Sequence, residues 1–122
     1  MLNFLIVDDI FALRNNLRRV IEDLGHKVIA EAENGYEAIE YCKQYNPDII
    51  TLDITMPSHN GIKDGVEALR EIKKINPNVK VLMITSQSEQ KKILEAIVLG
   101  AKGYILKPVT TDKIISALNK MK

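Results

Sequence analysis

Five short apolar runs rich in β-branched residues punctuate this chain: Asn3–Val7, Lys27–Ala32, Asp48–Leu52, Val79–Ile84 and Gly103–Leu106. Longer stretches with the period of amphipathic helices separate them. Strand-length runs that alternate with helices predict a parallel sheet covered by helices on both faces. Start and stop signals support that division. Asn34, Asp64 and Ser86 each stand three residues before a glutamate, at Glu37, Glu67 and Glu89, the spacing that satisfies free amides at a helix start. Gly25, Asn46-Pro47, Asn76-Pro77 and Gly100 fall where helices should end. The apolar stripes Leu13-Leu17-Val20-Ile21-Leu24, Ile93-Leu94-Ile97 and Ile114-Ile115-Leu118 are expected to be core.

The chain has 122 residues, is 46% hydrophobic and carries a formal charge of +1, which fits one domain, residues 1–122, with a continuous buried core. Interspersed acids and bases give no general attraction to nucleic acid or to an anionic membrane. No apolar stretch approaches the ~20 residues of a membrane span, and the first residues lack the charged and apolar regions of a signal peptide. A cytoplasmic location is therefore expected. Cys42 is the only cysteine, so no internal disulfide or cysteine-based zinc site can form, and a packed, inert thiol is expected.

In a doubly wound sheet, right-handed crossovers bring ligands to the carboxyl edge of the strands, near the point where strand order reverses. With the order 2-1-3-4-5, strands one and three are neighbours. Asp8 and Asp9 after the first strand and Asp53 after the third then share one crevice. Carboxylates that close oppose each other's ionisation unless a cation joins them, and a hard, oxygen-seeking ion such as Mg²⁺ suits the donor set. The fourth strand ends in Thr85-Ser86 and the fifth in Lys107-Pro108. An acid pair for a cation, a lone carboxylate, a hydroxyl and an ammonium are the parts that handle a phosphoryl group. Aspartates that merely solvate a strand end or cap a helix are the plainer alternative for the acid pair alone.

Val7-Asp8-Asp9, Asp53-Ile54-Thr55-Met56-Pro57, Thr85-Ser86, Gly100-Ala101-Lys102-Gly103-Tyr104 and Lys107-Pro108 occur in order and at strand ends. In this set the chain resembles the receiver domain of two-component response regulators over essentially its whole length. The resemblance implies a flavodoxin-like (βα)5 fold, a doubly wound parallel sheet in which Asp53 is the phosphoacceptor. Its donor would be a histidine kinase, another phosphohistidine or, more slowly, a small phosphodonor. It also implies Mg²⁺, with Mn²⁺ an acceptable substitute, held by Asp9, Asp53 and the backbone carbonyl of Thr55, with Asp8 acting through water or by orienting the site. Lys107 would bind one phosphoryl oxygen and Thr85 another, with a cis bond before Pro108 aiming the lysine inward. Thr85 and Tyr104 would form the switch that reshapes the face of the fourth helix, fifth strand and fifth helix, where protein targets bind. Thr55 and Gln87 would tune the lifetime of the phosphorylated state. No enzymatic turnover is implied beyond Mg²⁺-dependent self-phosphorylation and autodephosphorylation.

One segment departs from the family pattern. Met56-Pro57 is followed by Asn60-Gly61 and again by Asp64-Gly65, so about four residues are added beside the acidic edge. Either Asn60-Gly61 makes the usual turn and the third helix begins late, or the turn is enlarged and Asp64 caps the helix; the capping box favours the second. His59 in this loop is expected to take no part in catalysis or metal binding. An aspartyl-phosphate phosphatase of the haloacid dehalogenase type would need a second aspartate at Thr55, and a flavin site would be repelled by Asp8-Asp9. Among receivers the chain is most similar to stand-alone chemotaxis regulators, whose target is the flagellar motor switch. A stand-alone phosphorelay intermediate, or a receiver cut from a DNA-binding regulator, is the alternative. Lys91, Lys92, Lys113, Lys120 and Lys122 make the output region basic, which suits an acidic partner surface.

Overall fold

The structure, a computed structural model, describes residues 1–121. Its elements run β1 (Asn3–Val7), α1 (Phe11–Asp23), β2 (Lys27–Ala32), α2 (Gly35–Tyr45), β3 (Ile49–Asp53), α3 (Gly65–Ile75), β4 (Lys80–Thr85), a 3₁₀ turn (Gln87–Glu89), α4 (Gln90–Val98), β5 (Gly103–Leu106) and α5 (Thr111–Lys120). The five strands form one parallel sheet in the order β2-β1-β3-β4-β5, the flavodoxin-like arrangement. Val7 lies opposite Leu52, Asp53 opposite Ile84, and Thr85 opposite Leu106. The residues that leave the carboxyl ends of these strands are thereby level with one another.

Side chains alternate across the sheet, so each strand feeds two cores. Leu5, Val7, Ile50, Leu52, Val81 and Met83 meet Ala38, Ile39, Cys42, Leu69, Ile72, Ile93 and Ala96 from α2, α3 and α4. Phe4, Ile6, Ile49, Leu82, Ile84 and Ile105 meet Leu17, Ile21 and Ile114 from α1 and α5. Cys42 is buried in the first core, as a packed thiol should be. No helix among the described residues is long and apolar enough to cross a membrane.

Four expected core positions, Leu13, Leu94, Ile97 and Ile115, are exposed instead. Leu13 is 42% exposed, Leu94 68% and Ile97 43%. Arg14 takes the inward place on α1 beside Leu17 and Ile21. On α4 the contact stripe is Ile93 and Ala96, and at about 100° per residue Leu94 and Ile97 fall on the side away from Ala96. Ile115 sits at the exposed margin of α5, next to fully buried Ile114.

The capping signals are used with small displacements. Asn34 Oδ1 accepts the Glu37 amide at 2.8 Å, but the Glu37 carboxylate reaches one residue further back, to the Glu33 amide. Asp64 and Glu67 repeat the arrangement, with Glu67 accepting from the amide of Lys63. Ser86 and Glu89 form a complete capping box, which opens the 3₁₀ turn rather than α4 itself. Gly25 and Gly100, at φ of 89° and 109°, end α1 and α4 in the left-handed region, and Asn46 does the same for α2.

The enlarged loop combines both expected features. His59 and Ile62 exchange two backbone hydrogen bonds across Asn60 and Gly61, whose φ values of 48° and 83° make a tight reversed turn. Asp64 then caps α3. The His59 ring packs on Tyr36 at 5.7 Å between centroids, which fastens the loop to α2.

Candidate functional site

Asp8 directly follows β1, Asp53 closes β3, and the sheet order makes these strands neighbours. One carboxylate oxygen from each of Asp8, Asp9 and Asp53 lies within 4.8 Å of the other two. Asp8 and Asp53 are buried, and Asp9 opens to solvent. Lys107, just beyond β5, reaches Asp53 Oδ2 with its Nζ at 2.9 Å. The bond between Lys107 and Pro108 is cis. The Thr55 amide donates to Asp53 Oδ1 at 3.2 Å, and the Ile10 amide donates to Asp8 Oδ1 at 2.9 Å.

These charges are in conflict. Burial raises the Asp53 pKa first and foremost; the Lys107 hydrogen bond lowers it, the Asp8 charge raises it again, and the result is about 6. Asp8 is also pushed up, by burial and then by Asp9, against the Ile10 hydrogen bond and the Lys107 charge. Burial works against the Lys107 ammonium, yet its bond to Asp53 and the nearby charges of Asp8 and Glu89 raise its pKa. One ammonium does not offset three gathered carboxylates. An all-oxygen, strongly anionic cluster fits a hard divalent cation, and the three aspartates form a group able to hold one.

Thr85, fully buried at the end of β4, donates its hydroxyl to Glu89 Oε1 at 3.1 Å and to the Ser86 carbonyl at 3.2 Å. Thr55 is exposed and donates its hydroxyl to Glu89 Oε2. Gln87 is exposed on the 3₁₀ turn and lines an open hollow with Glu89 and Lys91. Tyr104 on β5 is 49% exposed and lines a groove of about 400 Å³ with Lys102, Leu106, Lys113, Ala117 and Lys120.

The lysines of this region are less free than the sequence suggests. Lys92 pairs with Asp64 at 3.0 Å, tying the enlarged loop to α4. Lys113 donates to the carbonyls of Leu106 and Pro108. Lys91 and Lys120 are exposed, and Lys122 lies outside the described residues.

Two contributors carried no site signal in the sequence. Arg14 is buried and donates from Nη1 to the Asp8 carbonyl at 2.8 Å, while its Nε binds Glu31 at 3.0 Å. An arginine in an apolar helical stripe was the available hint. Glu89 looks like an ordinary capping residue until the fold carries it between Thr55 and Thr85. Gly65 is a third case: a Cβ there would lie 2.1 Å from the Asp53 carbonyl oxygen, so only glycine lets α3 start against the acceptor strand.

Known proteins share this architecture. The family profile of the response regulator receiver domain matches residues 4–119. The chemotaxis protein CheY of Listeria monocytogenes is 42% identical over 120 residues, covering 98% of this chain and 98% of the relative. That of Thermotoga maritima is 44% identical over 117 residues, covering 96% and 94%. A chain of the CheX–CheY–BeF3–Mg²⁺ complex from Borrelia burgdorferi superposes with a TM-score of 0.90 at 32% identity, over 98% of this chain and 88% of that one. With that match running from β1 into α5, the chain belongs to the receiver domains of response regulators.

Proposed function

We propose that the chain is the phosphoacceptor switch of a two-component system, phosphorylated on Asp53. The observation that carries this is the buried Asp53 carboxylate, 2.9 Å from the Lys107 ammonium and within 4.8 Å of the Asp8 and Asp9 oxygens. An Asp53 oxygen attacks the phosphorus of a phosphohistidine donor, the P–N bond breaks, and its electron pair stays on the donor imidazole. With acetyl phosphate the P–O bond breaks and acetate leaves. Either route yields an acyl phosphate on Asp53. Water attack at phosphorus later breaks the bond to Asp53, restores the carboxylate and frees inorganic phosphate.

Lys107 is already at the acceptor and offsets charge on a transferred oxygen. Asp8, Asp9, Asp53 and the Thr55 carbonyl are the groups that would hold Mg²⁺, which when bound supplies positive charge to the carboxylates and the transferred oxygens. Arg14 fixes the Asp8 backbone, so that the acid pair keeps its position. Thr85 gives its hydroxyl to the phosphoryl group once attached, and Tyr104 turns inward behind it, reshaping the face of α4, β5 and α5. Thr55 and Gln87 flank the approach of water and set the lifetime.

Leu94, Ile97 and Val98 on α4 and Tyr104 on β5 are exposed apolar side chains, the composition of a protein-binding face. Identity of 42–44% to chemotaxis proteins over nearly the whole chain supports a chemotaxis regulator acting in the cytoplasm on the flagellar motor switch. Incubation with acetyl phosphate and Mg²⁺ should add the mass of one phosphoryl group to the wild type and none to Asp53→Asn. Equal labelling of both proteins would refute the assignment.

A further inference from the structure

Glu89 has more partners than a cap requires. One oxygen, Oε1, accepts from the Ser86 amide at 3.0 Å, the Ser86 hydroxyl at 3.2 Å and the Thr85 hydroxyl at 3.1 Å. The other, Oε2, accepts from the Thr55 hydroxyl. Ser86 and Glu89 would satisfy the capping box by themselves. The bonds to Thr55 and Thr85 instead join the loop after β3 to the end of β4, across the mouth of the acceptor site. A carboxylate is the strongest acceptor the buried Thr85 hydroxyl can meet, and a phosphoryl group on Asp53 competes for that same proton. Both competitors are anionic, so they cannot share it favourably.

We propose that Glu89 is a positioning residue that clasps Thr55 and Thr85 in the resting protein, and that phosphorylation acts by taking the Thr85 hydroxyl from it. This inference rests on the phosphoacceptor reading of Asp53. It names what the Thr85 hydroxyl leaves when it turns toward the phosphoryl group. Because Glu89 is the last residue of the turn from which α4 springs, loss of the Thr85 bond removes a tie between the start of that helix and the end of β4. The clasp therefore opposes the activated state, and its strength sets how far the resting protein lies from it.

The test is the affinity for beryllofluoride, a phosphoryl mimic, in the presence of Mg²⁺, measured by NMR titration of the full chain. Wild type, Glu89→Ala and Glu89→Gln are each compared alone and combined with Thr85→Ala. Glu89→Gln keeps the size and an acceptor oxygen, so it reports even if the alanine variant folds poorly. Removing the clasp should tighten binding, by roughly tenfold for exchange of one charge-assisted hydrogen bond, and the gain should vanish when Thr85 is alanine. An unchanged or weaker affinity in both Glu89 variants overturns the proposal. So does a gain that persists with Thr85→Ala, which would mean simple charge repulsion. A wild type that takes up no beryllofluoride sinks the phosphoacceptor reading itself, and the clasp with it. As a readout of the helix, the Ser86 amide should exchange slowly in the resting wild type and faster once beryllofluoride is bound.

Discussion

A buried carboxylate with a lysine on one side and a second aspartate on the other records the conflict in its titration. The pKa of Asp53 is about 6, against an ordinary value of 3.8. The folded state therefore holds the Asp53 proton more tightly than the unfolded chain does. Stability from that proton is present at low pH and is lost as pH rises from the ordinary carboxylate range through about 6, and Asp8 acts in the same direction. In metal-free protein, Asp53→Asn should raise the melting temperature by several degrees at pH 8 and by much less at pH 4; calorimetry at the two pH values checks it. Asp8, Asp9, Asp53, Thr85 and Lys107 were legible in the sequence because a strand end is a place in space once the sheet order is known. Arg14 and Glu89 were not, since a helical arginine and a capping glutamate each have an adequate local explanation. Their second partners come from tertiary structure alone.

Among the elements, the strands were the most legible, each found within a residue of its observed end. Short apolar runs rich in β-branched residues have few alternatives when helices flank them. The helical stripes were less so, because periodicity tells which residues share a face but not how wide the contact is; Leu13, Leu94 and Ile97 lie just beyond it. The loop between β3 and α3 was legible as a choice, and the structure uses both halves, a reversed turn at Asn60-Gly61 and a cap at Asp64. The close approach of Gly65 to the acceptor strand was invisible, since a glycine after a capping aspartate already looks like turn chemistry. Gly65→Ala should displace the segment that carries Asp53, destabilise the fold by about 1–3 kcal/mol, and slow phosphorylation by acetyl phosphate. Urea titration measures the first effect and intact mass against time the second. Wild-type values for both would show that the Gly65 contact constrains nothing.

At the scale of the whole molecule, the order β2-β1-β3-β4-β5 converts four remote stretches of sequence into one site, and two cores on opposite sheet faces hold it in place. Ligand binding to that site feeds back on the entire fold by mass action, worth about 1.4 kcal/mol at ten times the dissociation constant. Added Mg²⁺ should therefore raise the unfolding midpoint at pH 8, do so far less at pH 5 where protons compete for the carboxylates, and have little effect on Asp9→Ala. A midpoint equally responsive in Asp9→Ala would remove that residue from the cation site. The central claim, that this assembly makes Asp53 the acceptor, is tested most directly by locating the acyl phosphate. Protein treated with acetyl phosphate and Mg²⁺ is reduced with borohydride, which converts a phosphorylated aspartate to homoserine, and the position is sequenced by mass spectrometry. Homoserine at position 53 alone, and only when Mg²⁺ was present, is the expected result; homoserine at position 8 or 9, or none at all, would contradict it.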